Sequence, residues 1–300
     1  MTSDLDDSFA SEPTIAAVVV TYNRPEGVRR TVGGLLAQSR RPDCIVVVDN
    51  GGGAPALLAE LPPSERTVVR VIDSSSNLGA AGGFELGFRE AQRYGASWVY
   101  LLNDDDWPRP QAIATLLQEV TADPRLVGAA TYVSVNGTAR SVGARFVHGI
   151  RYPTEADKQQ RRQFVDVLTF SGLLVSVRAV DAVGGIRSDF FMMWEEFELC
   201  LRLRRAGGEL LVLTDPLLDL VGHGEGGSYP PWRGYYEARN GLVTLRSFHG
   251  HGAWPWWLRR QLKFVIASIG LPNPGRRIAL RFVGYWHGLR NRMGRTVEPS

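Results

Sequence analysis

Trp98-Val99-Tyr100-Leu101-Leu102-Asn103-Asp104-Asp105-Asp106-Trp107 decides how this chain folds. Trp98 to Leu102 is an apolar run of strand length, and three carboxylates follow almost at once. Charge next to a buried strand needs a compensating partner. Carboxylates are tolerated there when they are paired or coordinate a metal, and alternate aspartates on a short turn can hold one Mg²⁺ or Mn²⁺ that also binds substrate phosphates. A divalent-metal site for a phosphorylated substrate is therefore expected, against the plain alternative of a solvated acidic loop.

Further strand-like runs lie upstream at Ile15–Thr21, Cys44–Asp49 and Val68–Ile72. The segments Pro25–Ala37, Ala54–Leu61 and Gly83–Tyr94 have helical spacing. Strands alternating with helices favour a Rossmann-like α/β fold, with a mostly parallel sheet and helices on both faces. Ligands of such sheets bind beyond the carboxyl ends of the strands. Thr21-Tyr22-Asn23, Asp49-Asn50-Gly51 and Asn103 to Asp106 are thus expected to converge on one crevice. From about Val127 the pattern is less regular, with a strand expected at Val167–Val177 and a helix at Glu195–Arg205. Gly222–Pro231 is a Gly/Pro/Ser loop, after which the chain is rich in Trp and Arg.

With 300 residues the chain can bury a full core. Its net charge of +3 is unevenly spread. Asp4, Asp6, Asp7 and Glu12 crowd the N-terminus, whereas no acidic residue occurs between Glu237 and Glu298, which predicts a basic C-terminal surface. Cys44 and Cys200 each sit in an apolar pattern, as reduced core thiols do, which points to the cytoplasm. The N-terminus has no signal-peptide pattern, and no apolar run approaches the roughly 20 residues of a membrane span.

Asn77-Leu78-Gly79-Ala80-Ala81-Gly82-Gly83-Phe84 opens a helix after the third strand, where glycine lets backbone amides approach a phosphate or, alternatively, lets helix and strand pack closely. Asp49 suits hydrogen bonding to a ribose or base, or else an Asp-Asn-Gly turn. Phe190-Phe191-Met192-Met193-Trp194 delivers Glu195, Glu196 and Glu198 out of an apolar run. A carboxylate at a helix start beside apolar walls can act as a general base, although Glu195, Glu198 and Arg202 also suit a salt-bridged helix face. His223 ends another apolar run and is a metal-ligand candidate or a structural histidine.

Val18-Val19-Val20-Thr21-Tyr22-Asn23-Arg24, Val47-Val48-Asp49-Asn50, Asn77-Leu78-Gly79 with Gly82-Gly83, Asp104-Asp105-Asp106, Trp194-Glu195-Glu196-Phe197-Glu198, His223 and Arg239-Asn240 together resemble family 2 inverting glycosyltransferases of the GT-A fold. Among these the chain is most similar to actinobacterial galactofuranosyltransferases that begin cell-wall galactan, with rhamnosyltransferases next. The resemblance runs from about residue 14 to 245. It implies that Thr21, Asn23, Arg24, Asp49, Asn77, Gly79, Asp104 and Asp105 bind a nucleotide-sugar donor. Asp104, Asp106 and His223 would hold Mn²⁺ or Mg²⁺, Glu196 would be the general base, and Trp194, Glu195 and Gly172 would line the sugar and acceptor pocket. An aspartate is commoner in the family where Glu196 stands.

Three regions are expected: a disordered acidic N-terminus (1–13), the GT-A domain (14–228) and a C-terminal helical extension (229–300). In the last, Trp254, Trp257, Leu258, Leu262, Val265 and Ile269 share one helical face, with Arg259, Arg260 and Lys263 opposite. Ile278, Phe282, Tyr285, Trp286 and Leu289 repeat the scheme. This predicts a peripheral foot on the inner face of the plasma membrane, or alternatively packing on the catalytic domain or in a homo-oligomer. No nucleic-acid-binding motif is found. The expected partners are a nucleotide-sugar, UDP-galactofuranose ahead of dTDP-rhamnose, and a lipid-linked or polysaccharide acceptor of the cell envelope. A nucleotidyltransferase would need the same acids but not Glu196 and His223, and a non-catalytic carbohydrate- or membrane-binding protein would need neither.

Overall fold

The computed structural model describes residues 12–52, 54–220, 229–248 and 252–299. The expectations for residues 1–11 and for His223 lie outside the described residues.

The N-terminal half runs β1 (Ile15–Thr21), α1 (Pro25–Leu36), β2 (Cys44–Asp49), α2 (Pro55–Glu60), α3 (Pro63–Arg66), β3 (Val69–Asp73), α4 (Gly79–Tyr94) and β4 (Trp98–Asn103). β1 and β2 are buried along their whole length, because helices cover the sheet on both faces. The pairs β3–β2, β2–β1 and β1–β4 are all parallel. Register brings Thr21 level with Asp49, and Val20 level with Asn103, so the polar strand ends do converge on one edge. α4 starts at Gly79, ahead of its apolar periodicity, because the small residues of its first turn lie against the sheet without large side chains.

The second half begins with β5 (Asp106–Pro108), α5 (Ala112–Ala122), β6 (Leu126–Val135), β7 (Thr138–Arg140), β8 (Gly143–Phe146), β9 (Ile150–Arg151) and β10 (Arg162–Val165). It continues with β11 (Val167–Leu168), β12 (Leu173–Ser176), α6 (Val177–Ala182), α7 (Glu195–Arg205) and β13 (Glu209–Leu220). The long strand expected at Val167–Val177 is broken. β11 joins a small sheet with β8 and β9, the chain turns at Gly172 (φ +73°), and β12 inserts antiparallel between β4 and β6. Val177 already belongs to α6, whose first turn is capped by the Ser176 hydroxyl. The main sheet is thus parallel over β3-β2-β1-β4 and mixed beyond.

Three helices close the chain: α8 (Pro231–Phe248), α9 (Trp254–Ile269) and α10 (Pro274–Leu289). α8 is buried through most of its length and packs on both α7 and α10. On α9 the expected single apolar face is split. Trp257 points inward, edge-on to Trp194 at 6.0 Å and against Gly241, whereas Leu258, Leu262, Ile266 and Ile269 are exposed. Trp257 therefore belongs to the core and not to an outward face. Cys44 and Cys200 are buried free thiols. Among the described residues, no helix is long and apolar enough to cross a membrane.

Candidate active site

The acidic triplet stands at the sheet edge with its charges unequally treated. Asp104 accepts from the Thr21 hydroxyl (2.8 Å) and from Arg24 (3.0 Å), and Arg24 also reaches Asp105 (3.2 Å). Burial raises the Asp104 carboxyl, opposed by the Thr21 bond and the Arg24 charge. Asp106 is fully buried, with Oδ2 accepting from the Asn103 amide at 2.7 Å and Oδ1 lacking any partner. Burial, and then the neighbouring Asp105 charge, hold its carboxyl well above the usual range. The triplet, Arg24 and Arg30 line a cavity of about 390 Å³.

The donor set suits a divalent cation. Asp104 and Asp106 contribute hard oxygens on one short turn, and a buried carboxylate oxygen with no hydrogen bond is stabilised by a cation. No group of three metal-ligating side chains is assembled among the described residues. His223, the third ligand expected from the sequence, lies outside the described residues.

Asp49 is committed to its own turn: Oδ1 accepts from the amides of Gly51 and Gly52, and Oδ2 from that of Ala54. Asn23, at φ +55°, packs its side chain against Gly51. Asn50 bridges to the next loop by donating to the Gly79 carbonyl at 2.9 Å. Asn77 accepts from the Gly79 amide, and Gly79 sits at φ +71° where a Cβ would meet the Phe191 carbonyl at 2.0 Å. The glycines of this loop thus serve close packing, and the Ala81 amide ties it to Phe191 (3.0 Å).

That bond links the sheet edge to the turn carrying the second acidic cluster. Phe191, Met193 and Trp194 all have positive φ, which costs non-glycine residues on the order of 1–3 kcal/mol each. α8 holds them there. The Asn240 amide nitrogen donates to the carbonyls of Phe190 (3.0 Å), Met192 (2.8 Å) and Met193 (2.9 Å), and Arg239 donates to Phe190 (2.9 Å). The turn delivers Glu195 and Glu196 at the start of α7. Glu195 is sealed inside with Oε2 unpartnered, and burial and then the Glu196 charge raise its carboxyl. Glu196 is half-buried and accepts from the Phe170 amide at 3.4 Å, and desolvation raises it too. Glu198 pairs with Arg202 at 2.8 Å and is structural.

Glu196 lines a cavity of about 530 Å³ together with Trp194, Tyr152, Tyr229, Arg233 and Arg260. Of the three expected pocket residues Trp194 alone lines it, beside the expected base Glu196. Glu195 lies behind, and Gly172 packs against Leu218 and the Tyr100 hydroxyl. Tyr152 and the arginines escape sequence reasoning, because they come from the β9 end and the C-terminal helices. The one available signal is Glu237, the last acid before Glu298, which pairs with Arg281 (2.6 Å) and Arg260 (3.2 Å) on the same cavity wall.

Comparisons with known proteins bear on the family and the fold. Residues 16–184 match Glycosyl transferase family 2. Galactofuranosyltransferase GlfT1 of Mycolicibacterium smegmatis is 29% identical over 298 residues, covering 90% of this chain and 96% of that protein. The GlfT1 of Mycobacterium tuberculosis is 28% identical over 199 residues, or 65% of this chain, which spans only 66% of that relative's length. The structure of GalNAc-T7 with UDP, GalNAc and Mn²⁺ superposes with a TM-score of 0.66 at 15% identity, over 93% of this chain and 56% of that one. A mixed sheet with its acidic edge and a matched family domain fit one conclusion: the chain belongs to glycosyl transferase family 2 and is a glycosyltransferase of the GT-A fold.

Proposed function

We propose that this enzyme is a metal-dependent inverting transferase that moves a sugar, galactofuranose first among candidates, from a nucleotide donor to a lipid-linked acceptor of the cell envelope. The observation that carries the reading is the placement of Glu196. It is a half-buried carboxylate with a raised pKa, facing a cavity distinct from the one at the acidic triplet.

In this reading Thr21, Asn23, Arg24, Asp104 and Asp105 hold the nucleotide end of the donor, while Asp49, Asn77 and Gly79 shape the loops beside it. A divalent cation, Mn²⁺ or Mg²⁺, held by Asp104, Asp106 and His223 would neutralise charge on the departing nucleoside diphosphate. The acceptor hydroxyl lies in the Glu196 cavity. Its oxygen attacks the anomeric carbon opposite the leaving group, its proton passes to the Glu196 carboxylate, and the bond to the diphosphate breaks with inversion. One base suffices, unlike retaining glycoside hydrolysis with its carboxylate nucleophile. Burial makes Glu196 a stronger base than a solvated carboxylate.

The outer faces of α9 and α10 support a membrane foot. Leu258, Leu262, Ile266, Ile269, Phe282, Trp286 and Leu289 are each more than half exposed. Burying a side chain of this size contributes about 1.5–3 kcal/mol, and basic neighbours add about 1 kcal/mol each near anionic lipid. Such a foot would place the enzyme on the inner face of the plasma membrane.

Incubating the full chain with Mn²⁺ and a panel including UDP-galactofuranose, dTDP-rhamnose and UDP-pyranoses, and measuring released nucleotide, tests the reading. Turnover of UDP-galactofuranose above the others is expected. Turnover of none, or turnover unaffected by chelation, would overturn it.

A further inference from the structure

A second groove of about 720 Å³ adjoins the Glu196 cavity and shares Arg260, Phe264 and Ala267 with it. One wall is the β8–β9 hairpin, with His148 in its turn and Arg151 on β9, and the other is α9, carrying Arg259 and Lys263. No carboxylate lines it among the described residues. Nor does any of these four have a carboxylate partner among them. Among the described residues, Arg260 is the one basic side chain of the groove that is ion-paired, with Glu237.

The walls are locked together. Gly149, at φ +138°, lies so close to Trp256 that a Cβ would come within 2.4 Å of the indole. Trp256 is edge-on to Phe146 at 6.2 Å and stacks under the Arg260 guanidinium at 5.6 Å. The turn is thereby seated on α9, and His148 and Arg151 on one wall face Arg259 and Lys263 on the other across one fixed cleft.

Position around α9 gives the groove a direction. At about 100° per residue, successive sectors of the helix are the exposed stripe Leu258, Leu262, Ile266; then Arg259 and Lys263; then Arg260, Ala267 and Phe264 on the cavity; then the buried Trp257, Gln261 and Ser268. A route from the apolar surface to Glu196 crosses the cations.

We propose that this groove is the subsite for the phosphoryl group of the membrane-borne acceptor. The lipid chain lies on the apolar stripe, the phosphate or diphosphate sits between His148, Arg151, Arg259 and Lys263, and the sugar hydroxyl reaches Glu196. Charge-assisted bonds to phosphate supply the counter-charge that the described residues do not provide there. A bulk phospholipid headgroup would have no need of a groove sharing its wall with the Glu196 cavity. The inference rests on the lipid-linked acceptor proposed above.

Farnesyl diphosphate, farnesol and inorganic pyrophosphate are the probes, titrated calorimetrically against the full chain. The parent should bind farnesyl diphosphate and not farnesol. Arg259→Ala with Lys263→Ala, and separately Arg151→Ala on the facing wall, should each weaken it at least tenfold, whereas Arg140→Ala on a remote strand should not. No binding by the parent, or equal binding by the wall variants, overturns the subsite. So does loss of phosphatidylglycerol vesicle binding with farnesyl diphosphate binding kept, which would assign the groove to bilayer charge. Donor hydrolysis by the parent is measured alongside. Its absence, with wall-dependent farnesyl diphosphate binding present, would count against the proposed donor and leave the groove standing as a lipid-phosphate site.

Discussion

The Asn240 side chain donates to the Met193 carbonyl at 2.9 Å, and by that bond a helix nearly fifty residues downstream in sequence fixes the turn that aims Glu196. Asn240 is itself fully buried and is held from the other side by Arg239, which donates to its Oδ1 at 2.8 Å. Arg239 and Asn240, part of the motif set without a role of their own, are positioning residues.

Asn240→Ala should therefore lower stability by about 2–4 kcal/mol, since several buried carbonyls lose their donor and the positive-φ turn loses its restraint. A purely structural residue would change melting alone. Here the pH profile of transfer at a permissive temperature should shift as well, because the relaxed turn alters Glu196's burial. An unchanged profile would reduce Asn240 to a stabilising residue.

Glu196→Gln should keep donor affinity and lose transfer by on the order of 10²–10⁴-fold, the usual worth of a positioned base. Glu195→Gln should be mild, because Glu195 is sealed behind the cavity. Calorimetric donor binding beside a rate assay checks both. The reverse ranking would move the base by one residue.

Activity and stability should respond to pH in opposite senses. Transfer rises as Glu196 loses its proton, through a value raised above the ordinary carboxylate range by burial. Both glutamates bind protons more tightly folded than unfolded. Stability is therefore fully present below the unfolded carboxylate value and falls as pH rises through the raised folded values. Chemical denaturation at several pH values should show this slope in the parent and a shallower one in Glu195→Gln.

Asp106→Asn should fold, since the amide oxygen can still accept from the Asn103 backbone and no volume is removed, yet lose metal-dependent turnover. Asp106→Ala is a poorer probe, because it strips that buried amide of its acceptor. His223→Ala should also lose metal-dependent turnover. Full activity of either Asp106→Asn or His223→Ala at limiting Mn²⁺ would remove that residue from the proposed ligand set.

Ile266→Asp with Trp286→Asp should release the protein from anionic vesicles while leaving the melting temperature within a few degrees, as both side chains are exposed. Trp257→Asp should instead unfold the C-terminal helices, since Trp257 is buried against Gly241 and Trp194. Vesicle flotation and thermal melts separate the two. Retained flotation of the double variant would end the membrane assignment.

The sequence by itself determined the parallel half of the fold, because strands buried on both faces must be continuously apolar, and Ile15–Thr21 and Cys44–Asp49 are. It also determined that polar residues end those strands, and that acids open α7. Tertiary structure alone decided which of these side chains meet a cavity. Glu195 and Glu196 are chemically alike and adjacent, and only the turn tied down by Asn240 seals one and opens the other. Periodicity put Trp257 on one face with Leu258 and Leu262. Which part of an apolar helix stripe is core depends on what packs against it, and α8 took Trp257 while leaving its neighbours outside. Arg233, Arg260 and Tyr152 were illegible for the same reason: they reach the Glu196 cavity from distant segments, and proximity across such separations is set by packing and not by spacing along the chain.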